Sequence, residues 1–226
     1  MATDLQERAR RTSAAWTADP FYALVRTLIR FILWPFFRVK ASGQQNIPVG
    51  GPVILAPVHR SNLDSLLMSP LTKRPIRALA KESLFKIRPL GWALASLGAF
   101  PVRRGGADRE SMRVARELLN EDNMVLVFPE GTRHQGSQIA ELFDGTAYLA
   151  AKSGAQVVPV GIAGTEEAMP SGSRFPRPKR VRVVVGAPLD PPDPKAPRSA
   201  LAAWTEALTF SLQRVQDAAQ EVNRSS

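Results

Sequence analysis

Short apolar runs alternate along this chain with stretches of helical period, and that alternation restricts the fold more than any other feature. The runs PVILAPV (52–58), MVLVF (124–128) and VVPVGI (157–162) are continuous rather than alternating, and turn residues bound them. Such runs suit strands buried on both faces, as in parallel sheets covered by helices. Shorter strands are expected at 37–42, 76–80, 99–102 and 181–185. Between them, 62–71, 83–97 (interrupted near Pro89), 107–122, 140–153 and 199–222 read as helices, with Gly154 placed to stop one of them. The expected class is therefore α/β, with a central mixed, mostly parallel sheet flanked by helices. Pro159 inside an apolar strand suggests an edge or a bend.

The segment 20–39, PFYALVRTLIRFILWPFFRV, differs in kind. Arg26 and Arg30 share a helix face, Leu24, Leu28, Phe31 and Ile32 form an apolar one, and Trp34, Phe36 and Phe37 follow. Its longest uncharged apolar run, 31–37, is far short of the ~20 residues that a span needs. The expectation is an amphipathic helix lying in a membrane interface, with packing on the protein's own core as the alternative. The chain divides on this reading into a membrane-associating segment, 1–39, and an α/β domain, 40–226. The polar start carries Arg8, Arg10 and Arg11 with no apolar stretch behind them, so no signal peptide is expected.

A net charge of +10 directs attention to anionic partners, among them membrane surfaces and phosphorylated ligands. Nucleic acid fits poorly, since zinc-finger spacing, RNP-like strands and basic-region heptads are missing. The absence of cysteine excludes a thiolate nucleophile and a disulfide, and His59 and His134 are the only histidines. Neither a metal nor another cofactor is expected.

Two motifs follow apolar runs directly. In HRSNLD, His59 and Asp64 come right after the 52–58 run. If a helix starts near residue 61 or 62, Asp64 reaches back to the imidazole, fixes its tautomer and leaves the other ring nitrogen as a general base. Alternatively, Asp64 only caps that helix. In FPEGTR (128–133), Gly131 permits a tight turn, Arg133 offers a planar fork of donors for phosphate or carboxylate, and Glu130 orients an arginine or meets substrate. GAFPVRRG (98–105) places Arg103 and Arg104 before a helix, as in an anion site or a solvated basic loop. Lys81 ends a short strand and adds a point charge.

Together and in this order, these blocks resemble the glycerophospholipid acyltransferase family, specifically the PlsC-like 1-acylglycerol-3-phosphate acyltransferases, from about residue 42 to residue 189. The resemblance implies that His59 is the catalytic base and Asp64 its partner. It implies that Arg104, Glu130, Gly131 and Arg133, joined by Lys81, serve the substrate phosphate. VVPV (157–160) corresponds to the block associated with the acyl-chain side. The implied reaction moves an acyl group from acyl-CoA or acyl carrier protein, as co-substrate, to a lysophospholipid or glycerol-phosphate acceptor. Lysophosphatidic acid leads among these acceptors, with phosphatidic acid as product. The implied location is the cytoplasmic face of the cell membrane, on an anionic surface. The chain departs from the family pattern at His134, Arg103 and Phe143-Asp144-Gly145-Thr146-Ala147, which redistributes charge around the head-group site. Two other classes stay open: a His-dependent thioesterase or lipase, although no Gly-x-Ser-x-Gly elbow is present, and a non-catalytic lipid-binding module.

Overall fold

The continuous apolar runs become the middle of a seven-stranded sheet in the order β1-β7-β6-β2-β5-β3-β4. The strands are β1 (Lys40–Ser42), β2 (Val53–Pro57), β3 (Ile76–Lys81), β4 (Ala99–Val102), β5 (Met124–Leu126), β6 (Gln156–Ala163) and β7 (Arg182–Val185). All neighbours pair in parallel except β6 and β7. This is a computed structural model, and it describes residues 4–102, 108–170, 172–173 and 175–225. Every residue of β2 is buried, so no polar alternation is needed there. The helices are α1 (Asp4–Ser13), α2 (Ala18–Leu28), α3 (Trp34–Phe36), α4 (Leu63–Met68), α5 (Glu82–Phe85), α6 (Arg88–Ser96), α7 (Asp108–Asn120), α8 (Gly145–Ser153), α9 (Thr165–Ala168) and α10 (Arg198–Arg224).

Long α10 buries Leu208 and Leu212 against the sheet. It crosses β6 so closely that a Cβ on Gly161 would lie 2.2 Å from the Val215 carbonyl oxygen. The Gln216 side chain fastens the crossing by accepting the Ile162 N–H at 2.9 Å.

Pro159 is not at an edge, because β6 lies between β7 and β2. The proline survives inside the sheet because the chain bulges past it after β7. Gly186 N–H donates to the Pro159 carbonyl, and pairing resumes only at Val157 with Leu189. The missing N–H of the proline faces that gap rather than a ladder. Helix α8 begins at Gly145, later than its sequence pattern suggests, because side chains take the amides before it. Glu130 accepts the Ala140 N–H and Gln213 accepts the Ile139 N–H.

The 20–39 segment is helical through Phe36, with a π-helical turn at Ile29–Leu33 between α2 and α3, and leaves the helix before β1. The segment is two-sided. Tyr22, Ile29, Trp34 and Phe37 are buried, and Trp34 Nε1–H donates to the Leu67 carbonyl while Tyr22 Oη accepts the Ile76 N–H. Leu24, Leu28, Phe31, Ile32 and Phe36 project into solvent, Phe31 at 74% exposure. Helix α1, which no apolar pattern announced, ties the N-terminus down with Arg10 ion-paired to Glu117 and Glu121. Among the described residues no helix is long and apolar enough to cross a membrane.

Candidate active site

Parallel pairing of β2 with β5 brings the two strongest motifs together at the carboxyl ends of these central strands, where the backbone leaves each of them. His59 follows β2, and residues 128–133 follow β5. Asp64 lies in the first turn of α4 and is fully buried. Its Oδ2 accepts from His59 Nδ1 at 3.0 Å and from the backbone N–H groups of Arg60 and Ser61 at 2.7 Å each. A carboxylate that faces backward in this way does not cap α4. It grips the loop that carries the histidine and leaves the proton of His59 on Nδ1. The other ring nitrogen makes no hydrogen bond to the described residues, and the His59 side chain keeps 17% exposure. The ring stacks on Phe128, with centroids 3.8 Å apart, so both faces of the imidazole cannot be solvated.

Glu130 is 1% exposed and meets no solvent-borne group. One carboxylate oxygen accepts the backbone N–H of His59 at 3.0 Å, and the carboxylate receives Arg60 Nη1 at 2.8 and 3.0 Å. Of the roles that the sequence left open for Glu130, orienting an arginine is the one that these contacts fill. Arg60, which sequence reasoning passed over inside HRSNLD, is 5% exposed. Its remaining donors reach the Gly136 and Gln138 carbonyls. A buried arginine is rare unless paired, and the sequence signal for it was the acidic residue of the second motif.

Gly131 has φ +70, and a Cβ there would come 2.8 Å from the Phe143 ring, so both backbone and space call for glycine. The same turn presents Arg133 to solvent, with no partner among the described residues. Lys81 ends β3, exposed, and strand register sets it level with Val58, one residue before His59. Two strand spacings separate it from β2, roughly 10 Å at the backbone. β4 ends at Val102, and Arg103 and Arg104 lie outside the described residues. His134 donates its N–H to the His59 carbonyl, and its ring lies 3.2 Å from Thr132 Oγ1, so it supports the loop. Ser61 is 1% exposed and its Oγ donates to the Met169 carbonyl, so this hydroxyl is not available to His59 as a nucleophile. Val157, Val158 and Val160 are wholly buried in β6 and form core. A small apolar pocket of about 100 Å³ lies instead below α2, between Tyr22, Val25, Ile29, Leu66, Leu97 and Leu126. No group of metal-ligating side chains occurs among the described residues.

Residues 38–163, more than half of the chain, match the acyltransferase family model. The chain belongs to the acyltransferase family. Among relatives, a 1-acyl-sn-glycerol-3-phosphate acyltransferase of Chlamydomonas reinhardtii is 37% identical over 70% of this chain and 48% of its own length. The chloroplastic 1-acyl-sn-glycerol-3-phosphate acyltransferase of Arabidopsis thaliana is 30% identical, over 70% of this chain and 45% of its own. The chain thus spans about half the length of these relatives. A Bacillus subtilis 1-acyl-sn-glycerol-3-phosphate acyltransferase is 28% identical over 79% of this chain and 88% of its own. The crystal structure of PlsC, the 1-acyl-sn-glycerophosphate acyltransferase of Thermotoga maritima, superposes with a TM-score of 0.70 at 27% identity. That match covers 87% of this chain and 79% of PlsC. The sheet of this acyltransferase-family chain and its flanking helices thus share the PlsC fold.

Proposed function

We propose that this protein transfers a fatty acyl group from a thioester, acyl-CoA or acyl carrier protein, to the free hydroxyl of 1-acylglycerol 3-phosphate, giving phosphatidic acid. The observation that carries the reading is the 3.0 Å bond between His59 Nδ1 and the buried carboxylate of Asp64, which leaves Nε2 without a hydrogen bond to the described residues, at the carboxyl end of β2. The names of the relatives supply the acceptor. In the proposed reaction Nε2 takes the hydroxyl proton while that oxygen attacks the thioester carbonyl. Asp64 stabilises the imidazolium that results. Collapse of the tetrahedral intermediate expels the thiolate, which takes the proton from His59 and departs as the thiol. No covalent acyl-enzyme is needed, consistent with the buried, engaged hydroxyl of Ser61.

Arg133 is proposed to hold the acceptor phosphate, with Arg104 and Lys81 adding positive charge from neighbouring strand ends. Glu130 and Gly131 serve this site indirectly, Glu130 through Arg60 and His59 and Gly131 by shaping the turn that presents Arg133. The exposed apolar side of α2 is proposed to rest on the anionic, cytoplasmic face of the cell membrane, where the acceptor resides.

A thiol-release assay with palmitoyl-CoA, with and without lysophosphatidic acid, on wild type and His59→Ala tests the reading. Release that needs both acceptor and His59, with phosphatidic acid as product, is expected. Release without acceptor would instead assign a thioesterase.

A further inference from the structure

We propose that α5, α6 and the arginine-lined cleft between α1 and α6 form a second contact surface for an anionic phospholipid bilayer, beside the one that α2 offers. The inference extends the membrane-surface reading above, which involved α2 alone. Residues 86–90, KIRPL, are exposed without interruption. The cause is local: Pro89 in the first turn of α6 prevents α5 from continuing into it, so Lys86 and Ile87 form a protruding corner. Ile87 is 59% exposed and Trp92 48%, and Leu84 and Leu90 are close to 40%.

Scattered exposed aliphatics are ordinary, but this group is continuous with a larger one. Phe21 on α2 meets Trp92 on α6 with ring centroids 5.1 Å apart. From Phe21 the stripe continues along α2 through Leu24 and Leu28 to Phe31. Charge decides the occupant. A cleft of about 420 Å³ between α1 and α6 is lined by Arg8, Arg11 and Arg88 next to Trp92. Arg8 pairs with Asp4 at the surface, whereas Arg11 and Arg88 have no ion-pair partner among the described residues. Lys86 adds a further cation at the corner, and Glu7 and Glu82 are the other acidic groups on α1 and α5. Cations beside a protruding apolar corner complement lipid phosphates above acyl chains. Position fits as well, since α5 starts directly after Lys81, at the carboxyl ends of the strands, the side of the sheet that also carries His59.

The test is partitioning of the full chain onto vesicles of phosphatidylcholine alone and of phosphatidylcholine with phosphatidylglycerol. Wild type should prefer the anionic vesicles. Ile87→Ser/Leu90→Ser should weaken that partitioning at least about tenfold. Arg11→Gln/Arg88→Gln should weaken it roughly 20-fold and abolish the anionic preference. Both variants should keep the wild-type unfolding transition and wild-type transfer to acceptor dispersed in detergent micelles. Unchanged partitioning of both variants overturns the proposal, as does equal binding of wild type to neutral vesicles. A self-association seen by sedimentation and lost in Ile87→Ser/Leu90→Ser, with vesicle binding intact, assigns the surface to a second copy and overturns it too. Absence of transfer by wild type would sink the enzymatic reading while leaving the partitioning result to stand.

Discussion

At the residue scale, Glu130 joins the two motifs: it receives the His59 amide and pairs with Arg60, so motif spacing along the chain becomes one buried network. Breaking a buried pair leaves a charge without a partner, which costs about 3–5 kcal/mol. Glu130→Ala should lower stability by about that much in urea unfolding, and Arg60→Met/Glu130→Met should recover much of it without restoring turnover. A double variant with wild-type kcat would contradict a positioning role for the pair. His59→Ala should lower kcat/KM for transfer by roughly 10²–10⁴-fold with the fold intact, read from acceptor-dependent thiol release. Arg133 is exposed and has no hydrogen bond or ion pair among the described residues, so Arg133→Ala should leave stability alone. It should raise the acceptor KM by roughly tenfold or more, the value of a charge-assisted hydrogen bond. An unchanged KM would remove Arg133 from the phosphate site.

At the element scale, the close crossing of α10 over β6 depends on Gly161. A methyl group there meets helix backbone, which cannot rotate away as a side chain can. Gly161→Ala should cost about 3 kcal/mol in urea unfolding, by forcing the two elements apart. Retention of full stability would mean that α10 can shift over the sheet at little cost. The strands of this layer were legible because β2 and β5 are hydrophobic at every position. The start of α8 was not, because amides captured by Glu130 and Gln213 cancel a helical pattern from a distance of 10 and 74 residues.

At the scale of the whole molecule, the segment 1–39 and the sheet share one core. Tyr22, Ile29, Trp34 and Phe37 are buried on the sheet side. Burial of each such side chain contributes about 1.5–3 kcal/mol, against a net stability of about 5–15 kcal/mol for an ordinary domain. Deleting residues 1–39 should therefore destroy the cooperative unfolding transition rather than merely release the protein from vesicles, as circular dichroism in urea would reveal. A truncated protein with a wild-type transition would make the segment a dispensable anchor.

The sequence by itself determined the α/β class, the apolar strands and the His59–Asp64 pair, because each rests on local chemistry: hydrophobic runs, turn residues and a five-residue step from a loop into the first turn of a helix. It also contained the exposed face of α2. Tertiary structure alone decided that Pro159 stands in an interior strand beside a bulge, that Glu130 pairs with Arg60, and that α1 and α6 bring their arginines into one cleft. Those outcomes depend on which strands become neighbours and which helices cross, and contacts between residues far apart in the chain leave no periodic trace in it.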